Sequence, residues 1–308
     1  MNDRKIYGIG ETLIDIIFKD GYPQAAKPGG SILNCLVSLG RTGLPASLIS
    51  EFGKDDLGRI IDEFLKKNGV DTKYTDHFTL GNTAVAIAVL NEKNDASYTF
   101  YKNYPLKRLD MQFPSVAADD IIMCGSIYAI TQDIRKRFIE FISMSSSKGA
   151  IILYDPNFRK AHAHEINDLK PLILENMQMA SIVRGSDEDF MNIFGTGNPK
   201  DTWEIVKEYC KCLVYTASAD GVSIFTPHLR ELFPVRKIVP VSTIGAGDNF
   251  NAGIIASLYR YGIGKNQLSE IGKETWEKVI STGIDFASEV CMSYDNYISS
   301  EFAARYIH

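Results

Sequence analysis

STIGAGDNFNAG, residues 242–253, joins three small residues, an acid and an amide at the end of an apolar run. The run before it, Ile238 to Val241, reads as a strand, and the run after it, Ala252 to Tyr259, reads as a helix. Gly245, Ala246 and Gly247 therefore stand where a strand turns into a helix. The first turn of a helix has unpaired N–H groups and the positive end of the macrodipole, so it attracts anions. Side chains there would keep a phosphate off the backbone, which accounts for two glycines and one alanine. An acid in the same turn repels a bound phosphate, so Asp248 is badly placed for binding alone. It fits a group that strips the proton from a hydroxyl attacking that phosphate. A glycine-rich turn with an aspartate cap fits the same letters, and spacing alone leaves both readings open.

Working outward, strand-like runs alternate with helix-like ones. Strands are expected at KIYGIGE, ASLISEFG, 120–124, 150–154, 181–183, 213–216 and 222–226. Helices are expected at SILNCLVSLGRTG, DDLGRIIDEFLKKNGV, 131–144, 168–177 and 200–210. Such alternation builds βαβ units: an α/β fold with a mainly parallel sheet, helices on both faces, and ligands at the carboxyl ends of the strands. Residues 82–106 break the rhythm with two β-rich runs around a polar turn, Asn91 to Asp95. Together with LIDIIF (13–18) they form a small sheet over the edge of the main one. A lid and a plain edge hairpin fit equally well. No repeat or Pro/Gly/Ser linker divides the chain, so a single domain over 1–308 is expected, with a lid from about 13–28 and 82–106.

Composition narrows the function classes. The 308 residues are 45% hydrophobic and 23% charged, with a net charge of −5 and no basic run, which argues against nucleic acid as the partner. Five cysteines, odd in number and mostly within apolar runs, read as buried thiols in a reducing compartment. Cys210-x-Cys212 has no second pair to make a metal site. The N-terminal MNDRKIYGIGETLIDIIF carries acids and glycines through its apolar stretch, so it reads as neither signal peptide nor membrane span, and a cytoplasmic location is expected. GIGETL lacks the third glycine of a dinucleotide fingerprint, and no Gly-Lys-Ser/Thr phosphate loop exists. HAHE (162–165) reads as a solvated turn, and Trp203 and Trp276 as packing residues.

VSTIGAGDNFNAG resembles the C-terminal signature of the ribokinase-like (PfkB) carbohydrate kinases, commonly Asp-Thr-x-Gly-Ala-Gly-Asp. PGGSILNCLVSLGRTGLPASLISEFGKDDLG (28–58) is similar to their N-terminal signature, GETLIDIIF to their sugar-binding first strand, and YDPNFR (154–159) to their Asp-Pro-Asn-x-Arg element. The matches run in order over nearly the whole chain. The resemblance implies a ribokinase-like α/β fold with a small β-sheet lid. It implies an ATP- and Mg2+-dependent kinase that phosphorylates a hydroxyl of a small sugar, with fructose the first candidate.

The same resemblance assigns roles. Asp248 matches the catalytic base, and the backbone of Gly245, Ala246 and Gly247 the anion hole. Asp15, Gly30 and Asn34 match holders of sugar hydroxyls. Arg159 matches a contact to substrate or phosphate, or else pairs with Asp155. Thr216, Ser218, Gly221 and Asn249 fall on the nucleotide side, and Asp189 on the magnesium side, acting indirectly. Asp55 stands at a matching acid position, or else only caps the helix after it. FYK places Lys102 where relatives acting on 2-keto-3-deoxygluconate have an arginine, so that acid sugar is a second candidate substrate. Departures gather on the nucleotide and cation side: Ser186 for Asn, Asp189 for Glu, Ser218 for Gly and Ser242 for Asp. They leave open a third reading, a sugar-binding protein with a degraded nucleotide site. Without an acid at 242, little dependence on a monovalent cation is expected. A homodimer through the lid is expected if its outer face is apolar.

Overall fold

The computed structural model describes residues 4–91 and 96–307. In chain order the elements are β1 (Ile6–Ile9), β2 (Leu13–Lys19), β3 (Tyr22–Gly29), α1 (Ser31–Arg41), β4 (Ala46–Gly53), α2 (Asp56–Lys67) and β5 (Val70–Phe78). Next come β6 (Asn82–Leu90), β7 (Ala96–Asn103), β8 (Ile121–Gly125), α3 (Gln132–Ser147), β9 (Ile151–Asp155), α4 (Ile166–Met179), β10 (Ile182–Ser186), α5 (Asp187–Phe194) and α6 (Pro199–Val206). The chain continues with β11 (Leu213–Thr216), β12 (Val222–Phe225), β13 (Arg230–Phe233), α7 (Ala246–Arg260) and α8 (Lys273–Cys291).

Nine strands form one sheet in the order β13-β12-β11-β10-β9-β8-β1-β4-β5, parallel from β11 through β5 and antiparallel at β12 and β13. Successive residues of a strand point to opposite faces, and here they supply two separate cores. Ile121, Met123, Ile151 and Leu153 pack under α1, α7 and α8, whereas Ile122, Cys124, Ile152 and Tyr154 pack under α3, α4 and α6. Burial on both faces explains why these strands read as continuous apolar runs. Trp276 is fully buried in the first core, and Trp203 stacks on Phe225 in the second, with ring centroids 5.7 Å apart. All five cysteines are buried and free.

Four strands form the second, small sheet in the order β3-β2-β6-β7. The expected hairpin is β6 with β7, and β2 joins it as expected, parallel to β6. The expected turn falls, from residue 92 onward, outside the described residues.

Two expectations around the opening stretch are corrected. Ile238 to Val241 forms no strand. Pro240 removes a ladder donor, and the Val241 N–H donates instead to the Cys291 carbonyl (2.8 Å). The helix begins at Ala246, not Ala252, so the small residues lie within its first turn. Further along α7, a Cβ at Gly253 would fall 2.5 Å from the Thr282 carbonyl oxygen, and this close approach lets α7 lie directly on α8.

Candidate active site

Strand order reverses at β1: β4 and β5 lie to one side, and β8 through β11 to the other. In an open parallel sheet the loops diverge at such a point and leave a crevice. A cavity of about 690 Å³ opens at the strand ends, lined by Asp155, Arg184, Ser186, Thr216, Gly247 and Asp248 among others.

The start of α7 forms one wall. Gly245 caps the helix at φ +81°, a left-handed conformation that favours glycine. Gly245, Ala246 and Gly247 all line the cleft, the Ala246 N–H donating to the Thr243 carbonyl (3.2 Å). Asp248 Oδ2 accepts a hydrogen bond from Asn34 Nδ2 at 2.9 Å. Asn34 lies in the first turn of α1, four residues after Gly30, and is buried. Burial pushes the Asp248 carboxyl up to about 6, helped by Asp155; the Asn34 amide, Arg159 and Arg184 pull the other way. Such a value leaves the group ionised at neutral pH yet still basic enough to take a proton.

Sequence reasoning missed Arg184. It lies on β10 within a buried apolar run and is 7% exposed. One guanidinium nitrogen donates to Asp155 Oδ2 (2.7 Å) and the other to Thr216 Oγ1 (2.9 Å). A Cβ on Gly247 would sit 2.8 Å from the first, so the second glycine of the turn makes room for this cation. Asp155 also accepts from Asn251 Nδ2 (2.7 Å) and from the Asn157 N–H (3.0 Å). Its ion-pair partner is Arg184, while Arg159 sits exposed on the cleft wall. The available signal was a single arginine inside SIVRGS, since a charge in a doubly buried strand needs a partner.

On the small sheet, Asp15 of β2 faces Lys27 of β3 across the ladder. Burial raises the Asp15 carboxyl to about 6, and Lys27 partly offsets this. Tyr98 of β7 feels both Asp15 and Arg159. The face carrying Asp15 and Tyr98 therefore looks toward the cleft, and Phe100 stacks on Tyr98 (6.1 Å, 14° between planes). Lys102 does not line that cavity but another, beside Asp55 and Thr83, and its ammonium is ion-paired with Glu11 (2.6 Å), which also accepts from the Tyr104 hydroxyl (2.8 Å). Asp55 caps α2 through the Gly58 N–H (2.8 Å) and holds the Thr83 hydroxyl (2.6 Å).

The nucleotide-side residues divide. Thr216, Ser218 and Gly221 line the cavity, and Ser218 adopts φ +42°, so a serine here occupies a glycine-like conformation. Asn249 does not line the cavity. Its amide nitrogen donates to the carbonyls of Gly245 and Asn296 (both 2.8 Å), and its oxygen accepts from Ser38, so the side chain ties α7 to its neighbours. Asp189 is taken up by the Phe158 N–H (2.6 Å) and by Ser186 N–H and hydroxyl (2.7 and 2.6 Å) in a capping box. Asp187 and Glu188 beside it are exposed on the cavity wall. Among the described residues no cluster of three or more His, Cys, Asp or Glu could hold a metal. HAHE is a 3-10 turn with His164 exposed and His162 half-buried, both beside Glu165, in keeping with a solvated segment.

The pfkB family carbohydrate kinase model matches residues 4–301, and the chain belongs to that family of phosphotransferases. The chain is 29% identical over 262 residues to a fructokinase of Rhizobium leguminosarum bv. trifolii, covering 81% of this chain and 78% of that one. It is 24% identical over 266 residues to a probable fructokinase-4 of Arabidopsis thaliana, covering 82% of each. The fold matches that of a fructokinase from Vibrio cholerae O395, solved with fructose, ADP and calcium ion, at TM-score 0.84 and 20% identity over 99% of both chains. It also matches an aminoimidazole riboside kinase from Salmonella enterica complexed with aminoimidazole riboside and an ATP analog, at TM-score 0.81 and 20% identity over 98% of this chain and 99% of that one.

Proposed function

We propose that this chain is an ATP-dependent sugar kinase transferring the γ-phosphoryl group to a hydroxyl of a small neutral sugar, fructose first among the candidates. The observation that carries the reading is Asp248. Its carboxylate, oriented by Asn34, sits in the first turn of α7 beside N–H groups that suit an anion. Asp248 takes the proton from the sugar hydroxyl as that oxygen attacks phosphorus. The N–H groups of the 245–247 turn and the Arg184 guanidinium stabilise charge on the moving phosphoryl group. Asp15 and Asn34 receive sugar hydroxyls, and Arg159 reaches substrate or phosphate from the cleft wall. Thr216, Ser218 and Gly221 line the nucleotide half. The glycine turn and the cavity have room for a triphosphate, and Mg2+ would neutralise its charge. Asp187 and Glu188, exposed on the cavity wall, fit the cation side better than Asp189 does, acting through water as magnesium sites commonly do.

Neutral substrates are favoured over acid sugars because Glu11 already compensates Lys102. ADP release measured with fructose, ribose, 2-keto-3-deoxygluconate and adenosine tests the reading. Fastest turnover with fructose is expected. Preference for ketodeoxygluconate would overturn the neutral-sugar assignment, and sugar binding without any turnover would make the chain a binding protein.

The small sheet acts as the lid over the sugar, and its outer face supports a homodimer. That face carries Val85, Ile87, Val89 and Tyr101, the last two 50% and 59% exposed, while Ile16 beside them packs on the main core. Sedimentation of wild type against Val89→Lys checks this: a dimer that the lysine dissociates is expected.

A further inference from the structure

Lys27 enters none of the roles above. It sits on β3, directly opposite Asp15, and its ammonium leaves the small sheet altogether. It donates to the Tyr294 carbonyl at 2.9 Å and to Asn296 Oδ1 at 3.1 Å, in the loop that follows α8. That loop backs the anion-binding turn. The Asn296 carbonyl accepts Asn249 Nδ2 of α7 at 2.8 Å, and a Cβ on Gly245 would lie 2.9 Å from the same oxygen. Ser38 of α1 closes the group, donating to Asn249 and accepting the Ile298 N–H at 3.1 Å. Lys27, Asn296 and Gly245 thus link the small sheet to the helix cap. Half-burial strips water from the ammonium, and the acids Asp295 and Asp15 hold its charge from either side.

We propose that Lys27 is a positioning residue for phosphoryl transfer: it holds the 294–296 loop against the start of α7 and so ties the sugar-side strand to the anion-binding turn. The proposal rests on the kinase reading of the site. Neither Tyr294 nor Asn296 offers a full negative charge, so the contact is geometric, carried by N–H donors that no apolar side chain reproduces. Without it the helix cap loses the support that fixes Gly245. A small misplacement of groups around a reacting centre lowers turnover far more than it lowers binding.

The test uses Lys27→Met and Lys27→Ala, assayed with the sugar that wild type phosphorylates fastest. If wild type turns over no sugar, the kinase reading fails whatever the variants do. If it does turn over, Lys27→Met is expected to lower kcat by about tenfold or more. KM for the sugar should change less than threefold, and the melting temperature should stay close to that of wild type. In Lys27→Ala the vacated space should admit a small cation, so ammonium chloride should restore part of kcat. Tetramethylammonium chloride at equal ionic strength should not, and wild type should respond to neither. A kcat within twofold of wild type overturns the proposal. So does a loss confined to sugar KM, which would make Lys27 a plain substrate contact. If the methionine variant melts early, the alanine variant decides: absence of ammonium rescue overturns the proposal, and rescue supports it.

Discussion

The two halves of the cleft use their acids in opposite ways. On the proposed sugar side, Asp15 and Asp248 are half-buried, raised to about 6 by loss of solvent, and left with acceptor capacity for a hydroxyl. On the nucleotide side, the carboxylates of Asp155 and Asp189 are surrounded by donors from the protein itself. A carboxylate with donors on both oxygens fixes a loop, whereas one with a single donor keeps capacity for substrate. Asp15 and Asp248 lie in matching family motifs, and so does the filled Asp155, in YDPNFR. The half with filled acids is where Ser186, Ser218 and Ser242 depart from them.

Replacing the proposed base tests that contrast most sharply. Asp248→Asn is expected to keep sugar binding and lower kcat by about 10²–10⁴-fold, the range for a lost general base. Retention of more than a tenth of wild-type kcat would remove Asp248 from the role. Next in size, Asp15→Ala removes a charged hydrogen-bond acceptor worth about 1.5–3 kcal/mol. KM for the sugar should therefore rise roughly 10- to 150-fold while KM for ATP stays nearly constant. A shift in the ATP value instead would mean that the two half-sites are assigned the wrong way round.

Titration separates function from stability. Both sugar-side acids must be ionised to act, so kcat/KM should fall as pH drops below about 6, by up to roughly tenfold per unit for each acid. Stability has the opposite sign. A carboxyl raised by burial binds its proton more tightly in the folded state, so its contribution is full below the ordinary aspartate value and is lost as pH rises through about 6. Rate and melting temperature measured between pH 4 and 8 should therefore diverge, and parallel curves would contradict the assignment.

Smaller effects belong to the nucleotide half. Ser218 holds φ +42°, where glycine carries no Cβ penalty, so Ser218→Gly should stabilise the fold by about 0.5–1 kcal/mol. Unchanged or lower stability by urea titration would show that the serine hydroxyl compensates for the strain. Ser242 brings no charge to the approach of the anion turn, and its hydroxyl accepts the Ile244 N–H (3.2 Å). Exchange of potassium for tetramethylammonium at fixed ionic strength should change activity less than about twofold, because a hard cation there would lack an acid ligand. Saturable activation of several-fold by potassium would refute this.

Elements with a clear period were legible in the chain itself. The alternation of buried strands with amphipathic helices depends on local pattern, and α1, α2 and β4 sit where that pattern puts them. The glycine turn and Asp248 were legible because an anion-binding helix start needs small residues in consecutive positions. The Ile238–Val241 run misled, since an apolar run resembles a strand whether or not a neighbour accepts its hydrogen bonds, and Pro240 leaves that ladder incomplete. Partners distant in sequence were invisible. Arg184 meets Asp155 and Thr216 because three parallel strands bring their ends together, and Lys102 meets Glu11 because β7 folds back over the end of β1. Which acids stay open to substrate and which are filled depends on such meetings. Sequence determined the glycine turn and the acid beside it; tertiary packing decided which side chains around them are left without partners, because a hydrogen bond is a property of two positions and the chain order specifies only one at a time.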